Sequence, residues 1–125
     1  MPANKNILII DDDTRNIFAL TAVLRSKGYN CLSAIGMKEA FVMLMKDTVQ
    51  VDIILLDMMM PDMDGYEALP ILKENDLYKD IPVIAVTAQA MVGDRERCLN
   101  AGADGYISKP VNIDDLMPLI EASLK

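Results

Sequence analysis

Short apolar runs alternate with amphipathic stretches along the whole chain. Five runs have the length and composition of strands: ILII (residues 7–10), NCLSA, IILL, PVIAVTA and GYIS. Each is followed by a segment whose apolar residues recur with helical spacing, as Met37, Ala40, Phe41 and Leu44 do. Near-continuous apolar strands are covered on both faces, and β/α alternation gives a parallel sheet with right-handed crossovers. Five units cannot close an eight-stranded barrel, so the sequence predicts an α/β fold with an open, doubly wound sheet.

Cap residues and prolines refine the predicted helices. The fourth helix is predicted over residues 91–102, and the fifth begins after Asn112, a good N-cap, with Asp115 at the capping-box position. Pro70 and Pro118 fall inside the predicted third and fifth helices. A proline inside a helix removes a backbone hydrogen bond, so both helices carry a point of weakness.

Composition excludes several functions. A net charge of −7 argues against nucleic-acid binding, which needs a basic surface. The chain has no histidine, which removes Ser/His/Asp triads and most zinc sites. Cys31 and Cys98 lack metal-ligand spacing and are expected to be free thiols in a reducing compartment. No signal peptide or bilayer-spanning run is visible, so we expect a cytoplasmic domain without membrane contact.

Polar residues follow the predicted strands at the point where each strand ends. They are Asp11, Asp12 and Asp13 after the first strand, Asp57 after the third, Thr87 at the fourth and Lys109 after the fifth. The carboxyl ends of parallel strands share one edge of a sheet, so these groups are predicted to meet there. Two carboxylates ~4 Å apart repel by about 4 kcal/mol at an effective dielectric constant near 20. A divalent cation relieves that repulsion, and oxygen ligands favour Mg²⁺, with Mn²⁺ the second choice.

The same edge has the groups that stabilise a transferring phosphoryl group. Besides a metal ion, Lys109 supplies an ammonium and Thr87 a hydroxyl. With no histidine base, the remaining nucleophile is a carboxylate, and Asp57 is favoured because it alone closes the central apolar strand. Taken singly, each of these candidate site residues has an ordinary explanation, since strand-end acids often cap helices and a tyrosine such as Tyr106 usually packs in the core. Their predicted convergence at one edge of the sheet favours a functional site.

Four segments carry a family resemblance. These segments are ILIIDDD, DIILLDMMMPDMDGYE, IPVIAVTA and AGADGYISKP. By their order and spacing, the chain closely resembles, over residues 5–124, the receiver domain of bacterial two-component response regulators. The resemblance implies a flavodoxin-like (βα)5 fold with strand order 2-1-3-4-5. It also implies a single receiver domain over residues 1–125, without an output domain, and slightly favours the receivers of hybrid sensor kinases.

The resemblance also implies roles for the acidic residues. Asp57 is the expected phosphoacceptor, which becomes a 4-aspartylphosphate. Asp12 and Asp57 are expected to bind Mg²⁺ directly, while Asp11 holds a metal-bound water. The backbone carbonyl of Met59 completes the protein ligands.

The remaining roles implied by the resemblance concern catalysis and switching. Lys109 pairs with Asp57 and then with the phosphoryl oxygens, and the Lys109–Pro110 bond is cis. Thr87 moves toward the phosphoryl group and Tyr106 turns inward behind it. The donor is a histidine kinase or a histidine phosphotransfer protein of a phosphorelay. The surface of the fourth helix, fifth strand and fifth helix then changes its affinity for an unknown downstream protein.

Other functions stay open at the level of the sequence. A pseudo-receiver, with the same fold but no phosphorylation, would act only as a binding module, although the intact acid and lysine set speaks against it. A phosphatase of the haloacid dehalogenase type also uses an aspartate nucleophile, but Thr14 follows Asp13 directly, which displaces its motif by one residue. The expected protein is therefore a stoichiometric phosphoacceptor, with weak self-phosphorylation and self-dephosphorylation, and not an enzyme.

Overall fold

Strands and helices alternate strictly in the computed structural model, which describes residues 5–46, 50–88 and 92–124. The strands are β1 (Asn6–Ile10), β2 (Asn30–Ala34), β3 (Ile53–Asp57), β4 (Val83–Thr87) and β5 (Gly105–Ser108). The helices are α1 (Thr14–Ser26), α2 (Met37–Leu44), α3 (Gly65–Glu74), α4 (Asp94–Ala101) and α5 (Ile113–Ser123). The β/α alternation predicted from the apolar runs is confirmed.

All five strands are parallel and lie in one sheet in the order β2-β1-β3-β4-β5. This order is the flavodoxin-like order that the family resemblance implied. In the register of the sheet, Leu56 lies between Ile10 of β1 and Ala85 of β4. The ends of β1, β3 and β4 therefore lie side by side, so the residues that follow them share one edge.

The core forms two layers, one on each face of the sheet. Leu8 and Ile10 of β1 point to one face, where α2, α3 and α4 pack. Ile7 and Ile9 point to the other face, against α1 and α5. Successive side chains of a strand point to opposite faces, so a strand covered on both sides must be apolar throughout. The sequence ILII satisfies that requirement.

Several predicted boundaries were wrong. The fourth helix begins at Asp94, because its N-cap Gly93 has a left-handed φ of +93°, a conformation that glycine adopts readily. Val92 therefore precedes the helix, and Met91, the predicted start, lies outside the described residues. Pro82 and Ala88, which were placed in the fourth strand, flank it.

Helix capping was predicted correctly at Asn112, but the expected reciprocal box is found at another helix. The Asn112 side chain accepts a hydrogen bond from the N–H of Asp114 (2.9 Å), while the N–H of Asp115 donates to the Asn112 carbonyl oxygen. The box is formed at α3, where Asp64 accepts from the Glu67 N–H (2.9 Å) and the Glu67 side chain accepts from the Asp64 N–H (3.4 Å).

Helix α3 begins directly against the loop that follows β3, and Gly65 makes that approach possible. Its N–H donates to the Met58 carbonyl oxygen at 3.2 Å. A Cβ atom at Gly65 would meet the Met58 sulfur and lie 2.9 Å from the Met58 Cα, a backbone atom that cannot move aside.

We therefore expect Gly65→Ala to lower the free energy of unfolding by about 1–3 kcal/mol, the usual cost of an overpacked core. Urea unfolding followed by circular dichroism measures this loss. Gly105→Ala is the matched control, since its Cβ would make only ordinary contacts, 3.5 Å from Ile84 and 3.7 Å from Leu119. Equal losses in the two variants would show that close approach at Gly65 is not the cause.

Within the described ranges, no helix combines the length and the apolar character that crossing a bilayer requires.

Candidate functional site

Three carboxylates meet at the edge where β1 and β3 end. Asp57 is the last residue of β3, and Asp11 directly follows β1. Asp11, Asp12 and Asp57 each offer an oxygen, and these three atoms lie within 4.8 Å of one another. Asp11 and Asp57 are only 2% and 3% exposed, whereas Asp12 is exposed to solvent. The structure thus brings two adjacent acids, Asp11 and Asp12, together with an acid 45 residues or more away, Asp57.

Asp11 is the acid held by the most donors that the structure describes. Its backbone N–H donates to the Ala34 carbonyl oxygen (3.0 Å), and its Oδ1 accepts from the Asp13 N–H (2.9 Å). Its Oδ2 accepts from the Asn16 side-chain Nδ2 (2.5 Å) and lies 3.2 Å from Lys109 Nζ. No role was predicted for Asn16, although its place in the first turn of the helix after the acidic run was a usable signal.

Among the contacts of the described residues, each oxygen of the Asp57 carboxylate faces a donor. Oδ1 accepts from the Met59 N–H at 3.0 Å, and Oδ2 lies 3.3 Å from Lys109 Nζ. Burial raises the pKa of Asp57; the Met59 N–H opposes that rise, the neighbouring Asp11 adds to it and Lys109 opposes it. The Met59 side chain is 48% exposed at the rim of the site.

Lys109 links the two buried acids. Its backbone N–H donates to the Thr87 carbonyl oxygen (2.8 Å), which fixes the start of the loop after β5, and the Lys109–Pro110 peptide bond is cis. Burial lowers the pKa of Lys109, but the Asp57 and Asp11 carboxylates outweigh burial, so the net change is upward. The ammonium group is therefore held in its charged form between the acids.

Thr87 and Tyr106 lie on neighbouring strands near the same edge. Thr87 is the buried last residue of β4 and pairs with Ser108 of β5. Tyr106 is two residues before Ser108, is partly buried and packs against the core beneath α2, α3 and α4. Of the two residues, only Thr87 lies at the end of its strand, beside the acids.

Helices α3 and α4 make a contact that the sequence analysis missed. It lies on the face of the sheet where Tyr106 packs. The Tyr66 hydroxyl and the buried Cys98 sulfur are 3.6 Å apart, and the Arg97 guanidinium lies 4.0 Å from the centre of the Tyr66 ring. Burial and the Cys98 contact raise the pKa of Tyr66 to about 12. This neutral, cation-stacked tyrosine ties α4 to α3.

The three acids fit a divalent cation such as Mg²⁺. Carboxylate oxygens are its preferred protein ligands, and with bonds of ~2.1 Å an octahedral ion spaces its ligand oxygens ~3–4 Å apart. The oxygens of Asp11, Asp12 and Asp57 already lie within 4.8 Å of one another. Small side-chain rotations, above all of the exposed Asp12, therefore suffice to gather them around one ion.

The sequence profile of the response regulator receiver domain matches residues 7–121. This chain belongs to that family. The polar-differentiation response regulator DivK of Brucella anthropi is 33% identical over 120 residues, which cover 96% of each chain. The sensor histidine kinase RcsC of Escherichia coli is 40% identical over 108 residues, 86% of this receiver but only 11% of RcsC.

A solved structure adds a metal to the comparison. The receiver domain of a sensor histidine kinase from Pseudomonas aeruginosa is 32% identical, covers 98% of both chains and superposes with a TM-score of 0.85. That structure has a magnesium ion coordinated in its active-site cleft. Two-component receivers with this fold thus include one that binds magnesium in its active-site cleft.

Proposed function

We propose that this receiver accepts a phosphoryl group on Asp57 from the phosphohistidine of a histidine kinase or of a histidine phosphotransfer protein. The observation that carries the proposal is the position of Lys109 Nζ, 3.3 Å from Asp57 and 3.2 Å from Asp11. A buried carboxylate beside a fixed ammonium and two further acids matches what acyl-phosphate formation needs. The reaction is stoichiometric, and residues 1–125 are proposed to act in it as one receiver domain.

In the proposed step, an Asp57 carboxylate oxygen forms a bond to phosphorus. The bond between phosphorus and the donor's imidazole nitrogen breaks, and that nitrogen keeps the electron pair. The Met59 N–H holds Asp57 Oδ1 and so limits rotation of the carboxylate. Lys109, already adjacent, neutralises charge on the phosphoryl oxygens as it accumulates. Positioning and charge stabilisation are the main protein contributions to phosphoryl transfer.

We propose that Asp12, Asp57 and the Met59 backbone carbonyl would hold Mg²⁺, with Asp11 binding through a water. Mn²⁺ offers similar oxygen coordination and is expected to substitute. When bound, the ion lowers the repulsion between the acids and the incoming phosphoryl oxygens. The fit of the carboxylate oxygens supports this assignment.

Signal output is proposed to start at Thr87. Its hydroxyl would move toward the phosphoryl group, and Tyr106 would turn inward behind it. The hydrogen bond from the Lys109 N–H to the Thr87 carbonyl supports this coupling, because it joins the ends of β4 and β5 beside the acids. The surface of α4, β5 and α5 would then change its affinity for a downstream protein.

Intact-mass spectrometry tests the proposal with acetyl phosphate as a small phosphoryl donor. We expect one phosphoryl group per chain with Mg²⁺ or Mn²⁺, and loss of labelling when a chelator removes the metal. The adduct should hydrolyse in mild base, as an acyl phosphate does. An unlabelled but folded protein would indicate a pseudo-receiver, and steady turnover of p-nitrophenyl phosphate would indicate a phosphatase.

A further inference from the structure

We infer that Asn16 is a positioning residue that holds Asp11 and thereby leaves Lys109 available to Asp57. The inference rests on the proposed function and adds a residue to its site. Asn16 is the third residue of α1, and its side-chain Nδ2 donates to Asp11 Oδ2 at 2.5 Å. The acceptor belongs to a side chain that is 2% exposed, so solvent cannot replace this donor freely.

The corner between β1 and α1 supplies a neutral donor to each oxygen of Asp11. Oδ1 accepts from the Asp13 N–H (2.9 Å) and Oδ2 from Asn16. Asp13 in turn caps α1 by accepting from the Arg15 N–H (3.0 Å), which fixes the first turn that carries Asn16. Because the cap, the turn and the amide act together, the orientation of the Asp11 carboxylate does not depend on Lys109 alone.

The amide must face Asp11 with its nitrogen. A side-chain oxygen there would oppose a carboxylate oxygen at contact distance, which is repulsive, so the hydrogen-bond network assigns the orientation. Position 16 also favours a neutral hydrogen-bond donor over a charged or apolar side chain. A carboxylic acid at position 16 would add a fourth acid beside Asp11, Asp12 and Asp57, whereas an apolar side chain would leave Oδ2 with Lys109 as its remaining described donor.

Lys109 is shared between Asp11 and Asp57, and Asn16 affects how strongly each carboxylate attracts it. Its Nζ lies almost equally far from Asp11 (3.2 Å) and Asp57 (3.3 Å). Without Asn16, Asp11 would draw Lys109 toward itself, because an under-bonded buried carboxylate is costly. Asp11 would also lose its fixed orientation toward the metal. Groups that orient metal-binding side chains in this way typically change metal affinity by 10–100-fold when removed.

The test uses Asn16→Leu, which keeps the side-chain size but removes the donor, and Asn16→His. At pH 8 a neutral imidazole can still place an N–H donor at Nδ1, the atom that corresponds to the amide nitrogen. Asn30→Leu is the matched control, since Asn30 is exposed on β2. Mg²⁺ affinity is measured by calorimetric titration of the metal-free proteins, and urea unfolding without Mg²⁺ reports stability.

We expect Asn16→Leu to weaken Mg²⁺ binding about tenfold, at the lower end of the usual range for such residues, with Asn16→His restoring most of the affinity. Labelling by acetyl phosphate should also be slowed most in Asn16→Leu and less in Asn16→His. The control should bind Mg²⁺ as the unaltered protein does.

Unchanged Mg²⁺ affinity in Asn16→Leu would overturn the inference, and so would an equal loss in Asn16→His, which would indicate helix packing instead of the donated hydrogen bond. Both results leave the proposed function intact if the unaltered protein binds Mg²⁺ and accepts the phosphoryl group. Failure of the unaltered protein in both assays would instead remove the proposed function itself.

Discussion

Asp57→Asn should accept no phosphoryl group from acetyl phosphate or from a phosphohistidine donor. The amide oxygen of asparagine carries no negative charge and cannot form a stable adduct with phosphorus. The substitution keeps the size of the side chain and an oxygen that can accept the Met59 N–H, so the fold should persist. Intact-mass spectrometry with Mg²⁺ present checks the expected complete loss of labelling.

Asp62→Asn is the matched control for this variant, because it removes an exposed carboxylate from the loop that follows Asp57, between β3 and α3. It should be labelled as the unaltered protein is. Labelling of Asp57→Asn to a normal extent would move the acceptor to another acid. Peptide mapping would then identify that residue, with the solvent-exposed Asp12 the first to examine.

Periodicity was sufficient to predict the layers of this fold. Strands such as β1, apolar at every position from Ile7 to Ile10, fit only a sheet with helices on both faces, and the two core clusters lie on those faces. The spatial order of the strands could not be read from periodicity, because it depends on which face each crossover takes. That order came from the family resemblance, and the structure confirms it.

Local conformations explain the errors at helix boundaries. Residues 91–93 continue an amphipathic pattern in sequence, yet the left-handed backbone of Gly93 starts α4 at Asp94. The box between Asp64 and Glu67 has the spacing of a known signature and could have been recognised. Helix α3 extends on both sides of Pro70, an exposed residue, so the proline does not end it.

The site was predictable to the extent that it lies at strand ends. Asp11, Asp57 and Lys109 each follow or end a strand, and the parallel sheet alone brings them together. Contacts made by helical side chains could not be predicted in this way. The hydrogen bond of Asn16 depends on the rotation of α1 about its axis, and the pairing of Tyr66 with Cys98 joins residues 32 positions apart on different helices.

Lys109→Met should separate metal binding from phosphoryl transfer. Removing the ammonium takes away the positive charge beside Asp57, and the loss of one such stabilising group typically slows catalysis by about 10²–10³-fold. Mg²⁺ binding should be retained and become at least as tight, because no ammonium then competes for Asp11 and Asp57. The rate of acetyl phosphate labelling and a calorimetric Mg²⁺ titration measure the two effects.

Lys27→Met, at the exposed C-cap of α1, controls for the loss of a positive charge at the end of α1 that is farther from the acidic run, and it should leave both measurements unchanged. Asp57→Asn provides the contrast, since it should lose labelling and also weaken Mg²⁺ binding by removing a charged ligand. If Lys109→Met were labelled at the normal rate, the ammonium would serve only to hold two buried acids together. If it lost Mg²⁺ binding as well, Lys109 would act by arranging the acids, and charge stabilisation of the phosphoryl group would not explain its position.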